Sequence, residues 1–384
     1  MSNGNKPLVM LLGPGHWAGH MRVYHRHCLT LAQSGYQVLL AAHPLPEENY
    51  DYRVHLHSLG EFVIPTLNWR LVQRIKRCNL AYRLAVGSGA SLFHYYSPEF
   101  IFWGARLKKI LRRPIVLDCM EDFESYVLLR PGIGDYLRGS FSHLVGWQLK
   151  YAARYCDAVT VADEGTAALL RPFAQRVVVL HNYPMLSLFP DPGQNEQEKQ
   201  FDIVFHGGIS RGLLEFCFGV DDLLVDLGYA VKWRFIGLVE EMDWFTKRLS
   251  RRGVKERFSL TGLVPHDQIS QEITKAKIGI IPLPDHPKYH NNIPQKLFEF
   301  MALRMPVVLS DLPPSRPFVG NNKCAIMVPP DDYHAYAQGI IQLLKDPSLR
   351  KQMGAEGHRL VVQEYNWEKE SKKLVNLYEE LLSD

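Results

Sequence analysis

Asn291-Asn292-Ile293-Pro294-Gln295-Lys296-Leu297-Phe298-Glu299-Phe300-Met301-Ala302, running into Pro306-Val307-Val308-Leu309-Ser310, is the stretch whose reading sets the fold. Ahead of it lies the short apolar run Ile278-Gly279-Ile280-Ile281-Pro282. The order is strand, polar loop, helix, short break, strand. Leu297, Phe298, Met301 and Ala302 follow the three-four spacing of a buried helix face. Pro294 suits the first turn, where a missing N–H costs nothing, and Asn291 or Asn292 is the expected cap. A helix that starts at the carboxyl end of a parallel strand aims free N–H groups and a positive dipole into a crevice, where phosphates bind. Lys296 and Glu299, three apart, share one side of that helix near its start. A cation for a phosphate and a carboxylate for two sugar hydroxyls together make a nucleotide-binding helix. The same spacing also describes a surface Lys–Glu pair on a core helix.

Working outward, the chain alternates strands and helices. Leu8-Val9-Met10-Leu11-Leu12 reads as a wholly buried strand, followed by the Gly-rich turn Gly13-Pro14-Gly15-His16-Trp17-Ala18-Gly19 and a helix from Met21 to Ser34. Gly35 closes that helix and Tyr36–Ala42 is the next strand. The turn is not the GxGxxG of dinucleotide sites, and His43-Pro44 stands where an acid would end the second strand. A nicotinamide dehydrogenase is therefore disfavoured. Further strands are expected at 53–57, 91–95, 115–118, 158–162 and 177–180, giving a parallel sheet covered on both faces. Residues 183–200, rich in Pro, Gly and polar side chains, read as a linker. A second α/β series starts at Asp202–His206, with strands at 231–236, 257–260, 278–282, 307–310 and 325–328. The expected organisation is two Rossmann-like domains, 1–182 and 201–384, enclosing a cleft. The amphipathic helix near Trp367 to Leu382 is placed to pack back on the first domain.

At 384 residues, two domains are the natural size. Six cysteines without CxxC or finger spacing suit reduced, buried thiols in the cytoplasm, and no metal site is expected. No signal peptide or membrane span is visible. The net charge of +4 is uneven: residues 1–182 carry 20 Lys and Arg against 13 Asp and Glu, the remainder 24 against 27. Clusters such as Arg70, Arg74, Lys76, Arg77 and Arg83, and Lys108, Lys109, Arg112 and Arg113, suit either solvated helix faces or the inner, anionic face of a membrane. The charge is too modest for a nucleic-acid partner, and no such module is visible.

Several segments together resemble one family, the GT-B-fold retaining glycosyltransferases of family-four type (glycosyl transferases group 1). They are Leu31–Val38, Asp118-Cys119-Met120-Glu121-Asp122, Tyr155–Val161, Leu180–Pro184 and, most specifically, Pro294–Ala302 with Pro306-Val307-Val308. The resemblance implies transfer of a sugar from a nucleotide diphosphate donor to a hydroxyl acceptor, with the donor as co-substrate and no cofactor. It implies a glycan, lipid-linked or small-molecule acceptor and a role in surface polysaccharide or glycolipid synthesis. Alternatives within the fold are a sugar-nucleotide 2-epimerase and a catalytically degenerate partner subunit.

By that resemblance Glu299 matches the second acid of an E-x7-E motif that holds ribose hydroxyls. Asn291 occupies the first acid's place, so the chain departs from the motif there, and Asn292 adjoins it. In His206-Gly207-Gly208-Ile209-Ser210-Arg211-Gly212, Arg211 matches one of two bases that face the diphosphate, the other being replaced within Gly207-Gly208. With no DxD metal signature, charge left on the diphosphate has to meet Arg211, Lys296 and the helix N-terminus. Gly13 and Gly15 bring backbone near the donor. Leu263, in Thr261-Gly262-Leu263-Val264, lies in the loop that reads the base. His16, Asp118, Glu121 and Asp122 are candidate acceptor contacts; helix capping is the alternative for the three acids, and a surface position for His16.

Overall fold

The computed structural model describes residues 6–44, 49–60, 67–96, 98–128, 135–193, 199–252, 255–319 and 323–383. Contacts divide the chain into two units, residues 1–182 with 370–384, and residues 183–369. Part of the expected linker, residues 194–198, lies outside the described residues.

The first unit is a seven-stranded parallel sheet in the order β3-β2-β1-β4-β5-β6-β7. Its strands are β1 (Lys6–Trp17), β2 (Tyr36–His43), β3 (Val54–Ser58), β4 (Leu92–Tyr95), β5 (Ile115–Cys119), β6 (Ala158–Val161) and β7 (Val177–Val179). Its helices are α1 (Leu29–Gln33), α2 (Leu67–Gly87), α3 (Ile101–Leu111), α4 (Phe123–Leu128), α5 (Asp135–Tyr155) and α6 (Glu164–Leu170). The unbroken apolar run Val9–Leu12 is fully buried because helices cover both sides of a parallel sheet. Alternate residues point one way: Met10, Leu12, Phe93, Tyr95 and Leu117 pack with Ala81, Leu107, Leu149 and Ala152 of the covering helices.

Two local expectations are corrected. The Gly-rich turn is not a free loop: β1 continues as strand to Trp17, pairing Trp17 with His43 after an irregularity beyond Leu12. The helix at Met21 opens with wide π-type turns over Met21–Cys28 before α1, with Arg22, Arg26 and His27 all inside.

The second unit is a six-stranded parallel sheet, β10-β9-β8-β11-β12-β13. Its strands are β8 (Phe201–His206), β9 (Trp233–Ile236), β10 (Phe258–Leu260), β11 (Ala276–Ile281), β12 (Val307–Ser310) and β13 (Ala325–Val328). Around them lie α7 (Arg211–Asp226), α8 (Met242–Arg252), α9 (His266–Ile273), α10 (Pro287–Asn291), α11 (Gln295–Ala302), α12 (Arg316–Val319), α13 (Tyr333–Lys345) and α14 (Pro347–Gln363). The last helix, α15 (Trp367–Ser383), carries the chain's end into the first unit, where Tyr378 meets His94 at 2.9 Å.

Helix α11 buries Leu297, Phe298, Phe300, Met301 and Ala302. Phe300 lies so close to β11 that a Cβ on Gly279 would come within 2.9 Å of its ring. Truncating such a core Phe costs ~3–5 kcal/mol. All six cysteines are buried and none is bonded to another. Among the described residues no helix is long and apolar enough to cross a membrane.

Candidate functional site

In the second sheet β8 lies beside β11, and the strand order runs outward from that pair in opposite directions. Loops leaving the carboxyl ends of two such strands diverge and open a crevice, the usual place for a ligand in an open α/β sheet. After β8 the chain reads His206-Gly207-Gly208; after β11 it leads to α11.

Three glycines let backbone fill this edge. Gly207, Gly237 and Gly262 have φ of 114°, 139° and 72°. A Cβ on Gly237 would meet the Gly207 carbonyl at 2.0 Å, so only glycine fits there. Gly207 N–H donates to the Ile236 carbonyl at 2.8 Å, and Gly237 N–H to the Gly262 carbonyl at 2.9 Å. A Cβ on Gly207 would stand 2.8 Å from Lys296 Cε and 3.0 Å from its Nζ. Lys296 therefore crosses beneath the glycine, with its ammonium 5.0 Å from the centre of the Phe205 ring. Burial lowers its pKa, Glu299 opposes that shift, and Lys288 adds to it.

Glu299 is a buried carboxylate. Gln295, one turn earlier on α11, donates its amide to Glu299 Oε1. His206 Nε2 lies 3.2 Å from Glu299 Oε2 but out of line for a hydrogen bond, so this buried nitrogen has no hydrogen-bond partner. Burial, with help from the Lys296 charge, pushes the His206 pKa down to about 3, so the ring is neutral near pH 7. The group thus holds one anion and one cation beside a neutral imidazole. Chemically it offers a carboxylate for a vicinal diol, an ammonium for a phosphate, and open backbone above them.

The structure brings Gly207, Lys296 and Glu299 together as the sequence suggests. Gly208 is adjacent, with nothing within 4 Å of a Cβ placed on it. Other expected members lie differently. Asn291 is the last residue of α10, a short helix inside the expected polar loop, and Asn292 follows it with φ −115°. The position before α11 is Pro294, whose carbonyl accepts from Leu297 N–H at 3.0 Å. Arg211 starts α7 and is half exposed, its guanidinium 4.8 Å from the Trp244 ring and 3.7 Å from Glu241. These are the contacts of a surface arginine. Leu263 is 73% exposed, just past Gly262.

In the first unit Gly13 is buried, Gly15 exposed, and His16 stacks edge-on with His20 at 4.9 Å. Burial lowers the His16 pKa, against the pull of Glu99 and Asp118. Asp118 is corrected from acceptor contact to internal anchor. It is fully buried, its oxygens taking Arg22 Nε and Nη2 at 2.8 to 3.0 Å and the Thr160 hydroxyl at 2.7 Å. His27 and His94 lie near enough to Asp118 to suggest three metal ligands. His94 is committed at both ring nitrogens, to Tyr378 and Thr160, and Asp118 to Arg22 and Thr160; His27 bonds Tyr96 through Nδ1 at 2.7 Å, while its buried Nε2 makes no hydrogen bond. Asp122 caps α4, accepting from Ser125 N–H at 3.1 Å and its hydroxyl at 2.6 Å. Glu121 is half-buried beside it.

Residues that sequence reasoning missed are His206, Gln295 and Gly237. Gln295 stands four before Glu299, a spacing that brings the two side chains together on a helix, so this contact had a signal.

Residues 194–360 match the family described as glycosyl transferases group 1. The matched stretch is under half of this chain. The site just described lies within it, from His206 to Glu299. An α-D-kanosaminyltransferase of Streptomyces kanamyceticus is 24% identical over 135 residues, 35% of this chain and 34% of that protein, so the match spans about a third of the relative's length. Among solved structures, a sucrose-phosphate synthase from Thermosynechococcus elongatus superposes with a TM-score of 0.77 at 18% identity, covering 98% of this chain and all of its own. Anabaena HepE, solved with UDP, gives 0.68 at 14% identity, covering 97% and 100%. The fold is that of the GT-B glycosyltransferases, two Rossmann-like α/β units.

Proposed function

We propose that the chain transfers a sugar from a nucleotide diphosphate donor to a hydroxyl acceptor, and that the transferase domain binds the donor. The observation that carries this is Lys296 lying beneath Gly207 beside the buried Glu299 carboxylate, at the switch point of the second sheet. Glu299 accepts the two ribose hydroxyls. Lys296, the N–H groups opening α11 and the backbone at Gly208, past the turn that Gly207 makes, receive the diphosphate. Leu263, Asn291 and Asn292 flank the base and sugar. Breaking the sugar–phosphate bond leaves negative charge on the diphosphate, and each fixed donor facing it contributes on the order of 3 kcal/mol to the transition state. Arg211 adds a second cation once it exchanges Glu241 for phosphate.

Transfer runs with retention and without a metal, the donor phosphate taking the acceptor proton, and needs no protein nucleophile. His16 and Glu121 are the acceptor contacts. The acceptor is a glycan or lipid-linked sugar of surface polysaccharide or glycolipid synthesis. Because HepE was solved with UDP and with UDP-glucose, UDP-sugars are the first probes.

Titration calorimetry of UDP-, GDP- and ADP-sugars into the wild-type chain and Glu299→Ala tests the reading. One donor class binding the wild type and not the variant supports it; equal affinity for both would sink it. The anomeric configuration of the product, and turnover in EDTA, test retention and metal independence.

A further inference from the structure

Three helices lie side by side over one face of the first sheet. The Trp103 indole of α3 donates to Asn79 of α2 at 2.8 Å, and the rings of Phe102 on α3 and Tyr151 on α5 are 6.4 Å apart. Their inner sides supply Ala81, Leu107, Leu149 and Ala152 to the core. A helix that buries one apolar face normally turns a polar face outward. Helix α5 does not. Leu137, Phe141, Leu144 and Trp147 are 66%, 46%, 45% and 56% exposed, and Tyr151 and Phe102 extend the patch.

Between these apolar side chains cations outnumber acids, although Glu99, Asp157 and Glu124 of neighbouring segments pair with Arg74, Lys108 and Lys150. Helices α2, α3 and α5 contain five, three and three Lys and Arg, against one acid, Asp135. Among the described residues no helix is long and apolar enough to cross a bilayer; an amphipathic face of this kind lies in a bilayer's surface. We propose that the outer face of α2, α3 and α5 docks on an anionic lipid bilayer. Leu137, Phe141, Leu144 and Trp147 enter the interface while the basic side chains meet headgroup phosphates, Arg154 among them and Lys150 by exchanging Glu124, 3.6 Å away, for phosphate. Aromatic rings favour this boundary, and each basic residue near the surface strengthens binding roughly fivefold.

Charge complementarity selects the lipid over other occupants. A second copy meeting this face with its own would set the cations of one against those of the other. Single-stranded nucleic acid answers the charge but leaves Leu137 and Leu144 in water. A bilayer answers both.

The inference adds the membrane as partner and does not depend on the donor site, because vesicle binding is read with no sugar nucleotide present. Flotation of the full chain with phosphatidylcholine vesicles, with and without phosphatidylglycerol, tests it. Expected is binding to the anionic vesicles only, weakened by salt. Phe141→Ser with Trp147→Ser, and Lys150→Glu with Arg154→Glu, should each weaken it about tenfold or more. Unchanged melting by circular dichroism shows that these exposed changes leave the fold intact. The proposal is overturned by absence of binding, by binding that neither pair weakens, by self-association lost in the same variants, or by tighter binding to single-stranded RNA than to vesicles.

Discussion

Lys296 passes directly under Gly207: a Cβ on Gly207 would stand 2.8 Å from the lysine's Cε, and the glycine's φ of 114° already excludes most other residues. One glycine therefore sets both the backbone turn after β8 and the track of the one cation that α11 supplies. Gly207→Ala should lower the melting temperature and weaken donor binding about tenfold or more, since it strains the backbone and displaces Lys296 together. Gly208→Ala is the internal control for folding, because no protein atom lies within 4 Å of its added methyl and its φ is not positive. Calorimetry checks donor binding by Gly207→Ala, and parallel thermal melts compare the two variants; equal losses of melting temperature would contradict this geometry.

The neutral state of His206 has a pH consequence. Its pKa is pushed down to about 3 in the fold, against an ordinary value of 6.5. The unfolded chain therefore takes up a proton between pH 6.5 and 3 that the folded chain refuses. Stability is full above about pH 6.5 and falls with acidification by up to about 1.4 kcal/mol per pH unit for this residue. His94, also lowered to about 3 by burial, acts in the same direction. Urea unfolding of wild type and His206→Gln at pH 7 and pH 5 should show a smaller loss in the variant. An identical loss would mean that His206 is protonated in the fold.

Gln295 holds Glu299 from one turn away, so it positions the carboxylate without meeting the proposed donor phosphate. Gln295→Ala should raise the donor KM about tenfold or more, the scale of one hydrogen bond to a charged group, with kcat little changed. Gln295→Glu should do worse by setting a second carboxylate against the first. A fall in kcat at constant KM would place Gln295 in the chemistry instead.

The sequence carried most of the fold. Runs such as Leu8–Leu12 and Ile278–Ile281 are apolar at every position, which only a strand covered on both faces requires, and both are buried parallel strands. Within the site, Lys296 and Glu299 were legible because three residues on a helix fix two side chains to one side. His206 was not, since its meaning depends on the end of β8 meeting α11. Capping was misjudged for a related reason. Asn291 and Asn292 have the right chemistry, but Asn291 ends α10 and Pro294 stands at the position before α11. Asp118 was misread because its partner Arg22 is 96 residues away and no local spacing shows it.

That buried pair gives the last prediction. Arg22 spends its guanidinium on Asp118, on the Leu180 carbonyl at 2.7 Å and on the Asn182 side chain at 2.8 Å, tying the helical segment after β1 to β5 and to the end of the first unit's strand series. Removing either ion leaves the other buried and unpaired, which costs ~3–5 kcal/mol. Asp118→Ala should therefore destabilise the chain by that amount in urea, and Arg22→Met similarly. The double change should cost less than the sum, because neither charge is then stranded. If Asp118 instead contacted an acceptor, its replacement would leave stability near wild type and raise only the acceptor KM. Denaturation of the two single variants and the double variant decides between an internal anchor and a binding carboxylate.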